Sequence, residues 1–281
     1  MATYKLFAVV GGGTVGLHIA TGLAAQNVSV ILLSRSLTKT PHRSAGHTNR
    51  FASPFATVLK EHKVDVVISA INAGSVENTA AQKPVVDAAK AAAVKLYVPS
   101  EFGCPSDGWQ TEGFLGVKNK VAEFPEYAKS VGLPSARIYT GLFTEYIPFL
   151  TGYNTNGKIR VIGKDDTPVS FTSIPDITGF VVHALTALPP SELENRTLRL
   201  EGDRATLNEL APKFNTSVEH VDSVTGEGGD FVTHLLELFE AGAGSSGWDQ
   251  ANKKEVSEGA ASGNLSWPGH QWKTIKEVHN L

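Results

Sequence analysis

Leu6 to Val10 is a short apolar run that stops at Gly11-Gly12-Gly13, and Val15 to Gln26 resumes with Leu17, Ile19, Ala20 and Leu23 apolar at helical spacing. A buried strand that turns through glycines straight into a helix has few folds open to it. The run Gly11-Gly12-Gly13-Thr14-Val15-Gly16 has the form G-x-G-x-x-G, weak alone but set here in the strand–turn–helix context that gives it meaning. In that context Gly11 permits the tight turn, Gly13 lets the backbone approach a pyrophosphate, and Gly16 lets helix and strand pack closely. Thr14 and Val15 then open a helix whose free N–H groups and dipole favour an anion.

The same rhythm continues. Val28 to Leu33, Val64 to Ile71, Val94 to Val98 and Ala136 to Tyr139 read as further strands. Val76 to Ala93 and Val117 to Val131 read as helices, the second shortened or kinked by Pro125. Continuous apolar strands alternating with helices predict an α/β fold, a Rossmann-type doubly wound parallel sheet. Another strand is expected within residues 37 to 63, where the sequence offers no convincing one. After Pro148 the rhythm breaks. Short strands (Lys158 to Ile162, Thr197 to Leu200) mix with helices (Ile174 to Leu188, Asp230 to Ala241), and Gly242 to Gly247 reads as a flexible loop. The expected division is a dinucleotide-binding domain over residues 1–150 and a smaller, irregular α+β substrate-side domain over 151–281, which could return elements to the sheet.

Composition narrows the function. The chain is 41% hydrophobic and 19% charged, an ordinary globular mix. A net charge of −3 gives no electrostatic case for nucleic acid or a membrane surface. Its one cysteine, Cys104, rules out an internal disulfide framework and fits a reducing compartment, so a cytoplasmic protein is expected. No apolar run approaches the about 20 residues that cross a bilayer. Lys5 and the run after it imitate the start of a signal peptide, but they lead directly into the glycines. The histidines show no metal spacing, and no H-E-x-x-H or C-x-x-C occurs, so no metal is expected. Cys104 reads as a quiet buried thiol rather than a reactive one. Trp248, Trp267 and Trp272 could wall an aromatic pocket or simply pack.

The charges choose between dinucleotides. NAD-binding proteins usually place an acidic residue at the end of the second strand for the ribose 2′-OH. Here that strand ends Leu33-Ser34-Arg35, and the first acidic residue of the chain is Glu61. Lys5, Arg35, Lys39, Arg43, Arg50 and Lys60 precede it. A field of one sign suits a 2′-phosphate, which a guanidinium can hold through two charge-assisted bonds. Arg35 is therefore assigned to the 2′-phosphate of NADPH, with Ser34, Arg43 and Ala70 also at the cofactor.

Val98-Pro99-Ser100-Glu101-Phe102-Gly103 follows a strand and resembles the P-S-E-F-G signature of the isoflavone reductase-like and NmrA-like proteins, an atypical branch of the short-chain dehydrogenases. Val64 to Ala70, Gly141-Leu142-Phe143, Phe171-Thr172-Ser173 with Asp176-Ile177, and the tail from Trp267-Pro268 to Val278 are similar as well. The resemblance spans essentially the whole chain and is strongest to fungal members. It implies that Pro99 and Phe102 lie beside the nicotinamide. No tyrosine has a lysine four residues on, so the usual Tyr-x-x-x-Lys acid/base is absent. Val117-Lys118-Asn119-Lys120-Val121 matches the V-K-x-K-V context of the reductases, which makes Lys118 the implied acid/base and a cofactor contact. The chain departs from the reductases at Ala122, where they carry arginine, and at Leu115, in their F-x-x-K. The implied activity is reduction of a small aromatic substrate by hydride transfer. The alternative is a non-catalytic, NADP(H)-sensing regulator that binds a protein partner. A sugar-nucleotide epimerase is disfavoured by the missing tyrosine motif.

Overall fold

The computed structural model describes residues 4–34, 55–72, 80–107, 123–164, 166–226, 228–256 and 258–281. The chain forms two compact units, and it enters each more than once. The first holds Met1–Glu101, Trp109–Arg137 and Thr178–Thr197; the second holds Phe102–Gly108, Ile138–Ile177 and Leu198–Leu281.

The first unit is built on four parallel strands: β1 (Leu6–Val10), β2 (Ser29–Leu33), β3 (Val66–Ser69) and β4 (Leu96–Val98), in the order β2-β1-β3-β4. Alternation along each strand splits the apolar side chains between two faces. Ala8, Val10, Ile31, Leu33, Val67 and Tyr97 pack with Val58 and Leu59 of α2 (Phe55–Glu61) and with Val85, Val86 and Ala89 of α3 (Gln82–Ala91). Ala128, on the helix over residues 123–130, belongs to the same cluster. Helix α1 (Thr14–Ala25) buries Ile19, Ala20 and Leu23, and a Cβ on its Gly22 would stand 2.8 Å from Val182 of the helix Ile174–Ala187. Burial of these near-continuous apolar strands makes the sheet Rossmann-type and doubly wound, as its sequence predicts.

Two expectations fall partly outside the described residues. Within residues 37–63, the described part forms the helix α2 rather than a strand, and 37–54 lie outside the described residues. Of the helix expected over Val117 to Val131, residues 123–130, with Pro125 among them, are helical, and 117–122 lie outside the described residues.

The second unit mixes short elements. Leu142–Phe143, Val169–Thr172 and Asp203–Ala205 form one sheet, and Ile159–Val161 pairs in parallel with Val218–His220. The tail is pinned by two aspartates, the buried Asp176 and the half-buried Asp203. Asp176 accepts from Ser173 Oγ, His270 Nε2 and the Lys273 N–H, each at 2.8 Å, and Asp203 accepts the Ile275 N–H at 2.9 Å. Trp267 stacks on His270 with ring centroids 3.6 Å apart, and Trp272 meets both edge-on. Trp248 lies over Gly242, where a Cβ would reach within 2.6 Å of the indole.

Gly242 to Gly247 is not the flexible loop its composition implies. Every residue of it is buried. Gly244 O accepts the Ser170 N–H at 3.2 Å, the Ser246 N–H donates to Ser170 Oγ at 3.0 Å, and Ser246 Oγ donates to Ala260 O at 2.8 Å. Small residues serve here for close approach rather than for mobility: a Cβ on Gly244 would lie 2.8 Å from both Phe239 and Val169. Gly244→Ala is therefore expected to destabilise the protein by about 1–3 kcal/mol in urea unfolding, as overpacked cores do. A mobile loop would accept alanine without loss or gain stability from it.

Candidate dinucleotide site

The glycines after β1 differ in what surrounds them. Gly11 has φ +114°, which favours glycine, and a Cβ there would stand 2.4 Å from the Ala70 carbonyl oxygen. Its N–H donates to Leu33 O at 2.8 Å, while the Ala70 N–H donates to Val10 O at 2.8 Å, so the turn is tied to the ends of both β2 and β3. Gly16 packs hardest: a Cβ would be 2.0 Å from Gly11 O and 3.0 Å from Ala70 Cβ. Gly12 abuts Ser34, whose Oγ would lie 3.0 Å from an added Cβ. Gly13 alone of the four faces open space, with nothing within 4 Å of where its Cβ would stand.

That openness falls at the N-terminus of α1. Gly13 is the N-cap and has no side chain to satisfy the first-turn N–H groups, and the first turn contains no acidic residue. Gly13 and Thr14 are exposed and Val15 is half-buried. An anion arriving here meets backbone donors and the positive end of the helix dipole. The position in the sheet is equally specific. From β1 the sheet continues to β2 on one side and to β3 on the other, the switch point outside which ligands bind in open α/β sheets.

Gly11, Gly13, Thr14, Val15, Gly16, Ser34, Ala70 and Pro99 thus all stand at the carboxyl edge of the first unit's sheet. Arg35, Arg43 and Lys118 lie outside the described residues. Phe102 is half-buried and opens the second unit, where the next carbonyl, of Gly103, accepts the N–H groups of Thr140 at 2.9 Å and Gly141 at 3.2 Å. Cys104 is buried, with Sγ 3.9 Å from Gly244 O.

The turn after β4 is held by groups that the motif alone does not reveal. Glu101 and Arg137 form a buried two-pronged ion pair, Nε to Oε2 at 2.7 Å and the second guanidinium nitrogen to Oε1 at 2.8 Å. Ser100 Oγ donates to Ile71 O at 2.7 Å, joining the ends of β3 and β4. Gln82 Oε1 accepts from the Tyr97 phenol and from the Ser100 N–H, both at 3.2 Å. Burial, with Glu101 nearby, pushes the Tyr97 phenol up and keeps it protonated as the donor. Arg137 could have been found in the sequence as a lone charge in the apolar strand Ala136–Tyr139, since an arginine so placed needs a partner. Gln82 shares the spacing of Val85, Val86 and Ala89 on the apolar face of α3.

Among the described residues no group of three or more His, Cys, Asp or Glu side chains could hold a metal ion, and no helix is long and apolar enough to cross a membrane.

A parallel sheet with an open, glycine-capped helix N-terminus at its switch point defines the dinucleotide-binding class of α/β proteins. The chain belongs to the NmrA-like family, whose model matches residues 3–224. Oxidoreductase aprR of Aspergillus flavus is 28% identical over 238 residues, which cover 80% of this chain and 78% of that protein. Oxidoreductase BOA1 of Botryotinia fuckeliana is 31% identical over 225 residues, covering 72% of each. Among solved structures, AtPrR2 with NADP+ and (+)pinoresinol superposes with a TM-score of 0.76 at 18% identity, over 99% of this chain and 98% of that one. NmrA, a negative transcriptional regulator in complex with NADP, gives 0.67 at 14% identity, over 98% and 94%.

The buried pair yields a prediction. Arg137→Met alone strands the Glu101 carboxylate and is expected to destabilise the protein by about 3–5 kcal/mol, whereas the double variant Glu101→Leu with Arg137→Met should recover most of that loss. Urea unfolding of the two variants measures the difference. Equal loss in both would mean that the charge pairing is not what holds the turn.

Proposed function

We propose that this chain is an NADPH-dependent reductase of a small aromatic or phenolic compound. The observation that carries the reading is the open approach at Gly13, where an uncapped helix N-terminus meets the switch point of the sheet. Two curated fungal relatives, both oxidoreductases, support the class of reaction. The likeness to AtPrR2, solved with both NADP+ and (+)pinoresinol, supports the cofactor and an aromatic substrate.

In this reading the first-turn N–H groups of α1 take the pyrophosphate, with Gly13 bare so that the backbone can come close. Ser34, at the end of β2, and Arg35 and Arg43 after it take the 2′-phosphate. Ala70 and Pro99 border the cofactor at the ends of β3 and β4, and Phe102 lies against the nicotinamide. NADPH, when bound, supplies a hydride to an electrophilic carbon of the substrate. Lys118 moves the matching proton at a phenol or carbonyl oxygen, its pKa lowered by burial next to the cationic nicotinamide. Glu101 is occupied by Arg137 and takes no part in proton transfer. The second unit is assigned to the substrate.

The test uses NADPH deuterated at nicotinamide C4, as each epimer, with a panel of aromatic enones, lignan ethers and phenolic ketones. Label in a product is expected, with NADPH bound far more tightly than NADH. Arg35→Ala should narrow that preference. Lys118→Ala should lower turnover by about 100- to 10,000-fold, the usual contribution of general acid–base catalysis, while leaving NADPH affinity mostly intact. Full activity in the Lys118 variant contradicts the assignment. Tight NADPH binding with no label transferred to any compound favours a cofactor-sensing regulator instead.

A further inference from the structure

We propose that Gln82 is a positioning residue: its buried amide fixes the backbone of Ser100 and thereby the face that the turn Pro99–Glu101 offers to the nicotinamide. The inference rests on the reductase reading for what occupies the site, but its geometry stands within the first unit alone.

Gln82 opens α3 on its apolar face and has no solvent exposure. A backbone N–H can only donate, so the atom facing Ser100 N must be the carbonyl oxygen Oε1, and this settles which way the amide points. The same oxygen accepts the Tyr97 phenol, which anchors it to the buried middle of β4. Nε2 is buried without a hydrogen-bond partner among the described residues. A methionine of similar length would lose both acceptor contacts. A glutamate would keep them but bring an acid into a buried site close to Glu101.

The other polar groups of the turn are turned inward as well. The Glu101 N–H donates to Pro99 O at 2.9 Å, Ser100 Oγ donates to Ile71 O, and the Glu101 carboxylate meets Arg137. The N–H groups and polar side chains of the turn are therefore committed inward, and its placement is set from beneath by Gln82. The pyrophosphate is held elsewhere, at Gly13, so loosening the turn should free the nicotinamide without releasing the cofactor.

The experiment compares the wild-type chain with Gln82→Met, with Gln82→Glu, and with Val86→Ala, which loosens the same face of α3 without touching the turn. NADPH affinity and the emission of the bound nicotinamide are read first, then label transfer from each C4 epimer. For Gln82→Met the NADPH Kd should stay within about threefold of wild type, the bound nicotinamide emission should revert towards that of free NADPH, and kcat should fall about tenfold or more with KM little changed. Gln82→Glu should restore part of the emission, and Val86→Ala should match wild type. A Gln82→Met protein that behaves as wild type overturns the proposal. So does a Val86→Ala protein with the same loss, or a glutamate that rescues nothing. A wild-type chain that binds NADPH but transfers no label sinks the reductase reading, while the emission comparison still decides the role of Gln82. A wild-type chain that binds no NADPH overturns both.

Discussion

At the end of β1, three stretches of main chain meet with no room for a side chain among them: Gly11, turned to φ +114°, Ala70 at the end of β3, and Gly16 in the first turn of α1. A Cβ on Gly11 or Gly16 would come within 2.4 Å of a carbonyl oxygen. This contact seats the helix start against the sheet edge. Hydrogen bonds from Gly11 to Leu33 and from Ala70 to Val10 carry the same constraint to the neighbouring strands. The N-terminus of α1 therefore stands where the sheet divides, with its donors turned outward and no acidic residue in its first turn. Change the packing at Gly11 or Gly16 and the helix start moves; change Gly13, and only the space in front of the helix changes.

The turn after β4 is built on the opposite principle. Nothing there depends on the absence of a side chain, and its placement comes from polar contacts, the buried Glu101–Arg137 pair and the Gln82 carbonyl among them. The ion pair holds the turn only while both partners are present, because a charge left alone in a low-dielectric interior is far costlier than the pair. Completeness also bears on function. Both carboxylate oxygens of the signature's acid are committed to the Arg137 guanidinium. The proton transfer of the proposed reaction falls to Lys118.

The elements that were legible in the sequence are those with a local signature. Strand, glycine turn and helix from Leu6 to Ala25 could be read from spacing, and Gly11 and Gly16 from the distinct demands that a turn and a packing contact make. What was not legible depended on partners far along the chain. Gln82 reads as another residue of an Ala-rich helix until Ser100 is placed over it, and Glu101 has no partner until the strand containing Arg137 is set beside β4. Gly242 to Gly247 misled for a different reason, since glycine and serine suit both mobile loops and crowded interiors and only the neighbours Phe239 and Val169 decide. A chain that enters each compact unit more than once also gives no compositional sign of where one unit ends.

The central claim is that the bare backbone at Gly13 is where the cofactor binds, and Gly13→Ser tests it most directly. Serine is a favoured N-cap, the backbone at this position (φ −77°, ψ −169°) suits it, and nothing stands within 4 Å of its Cβ. Its hydroxyl would take a first-turn N–H and fill the space before the helix. Thermal unfolding and NADPH titration of the same preparation should then separate: stability unchanged or slightly raised, and affinity lowered by about 100-fold, on the order of 3 kcal/mol. A serine variant that is equally stable and binds NADPH as the wild type does would contradict the account.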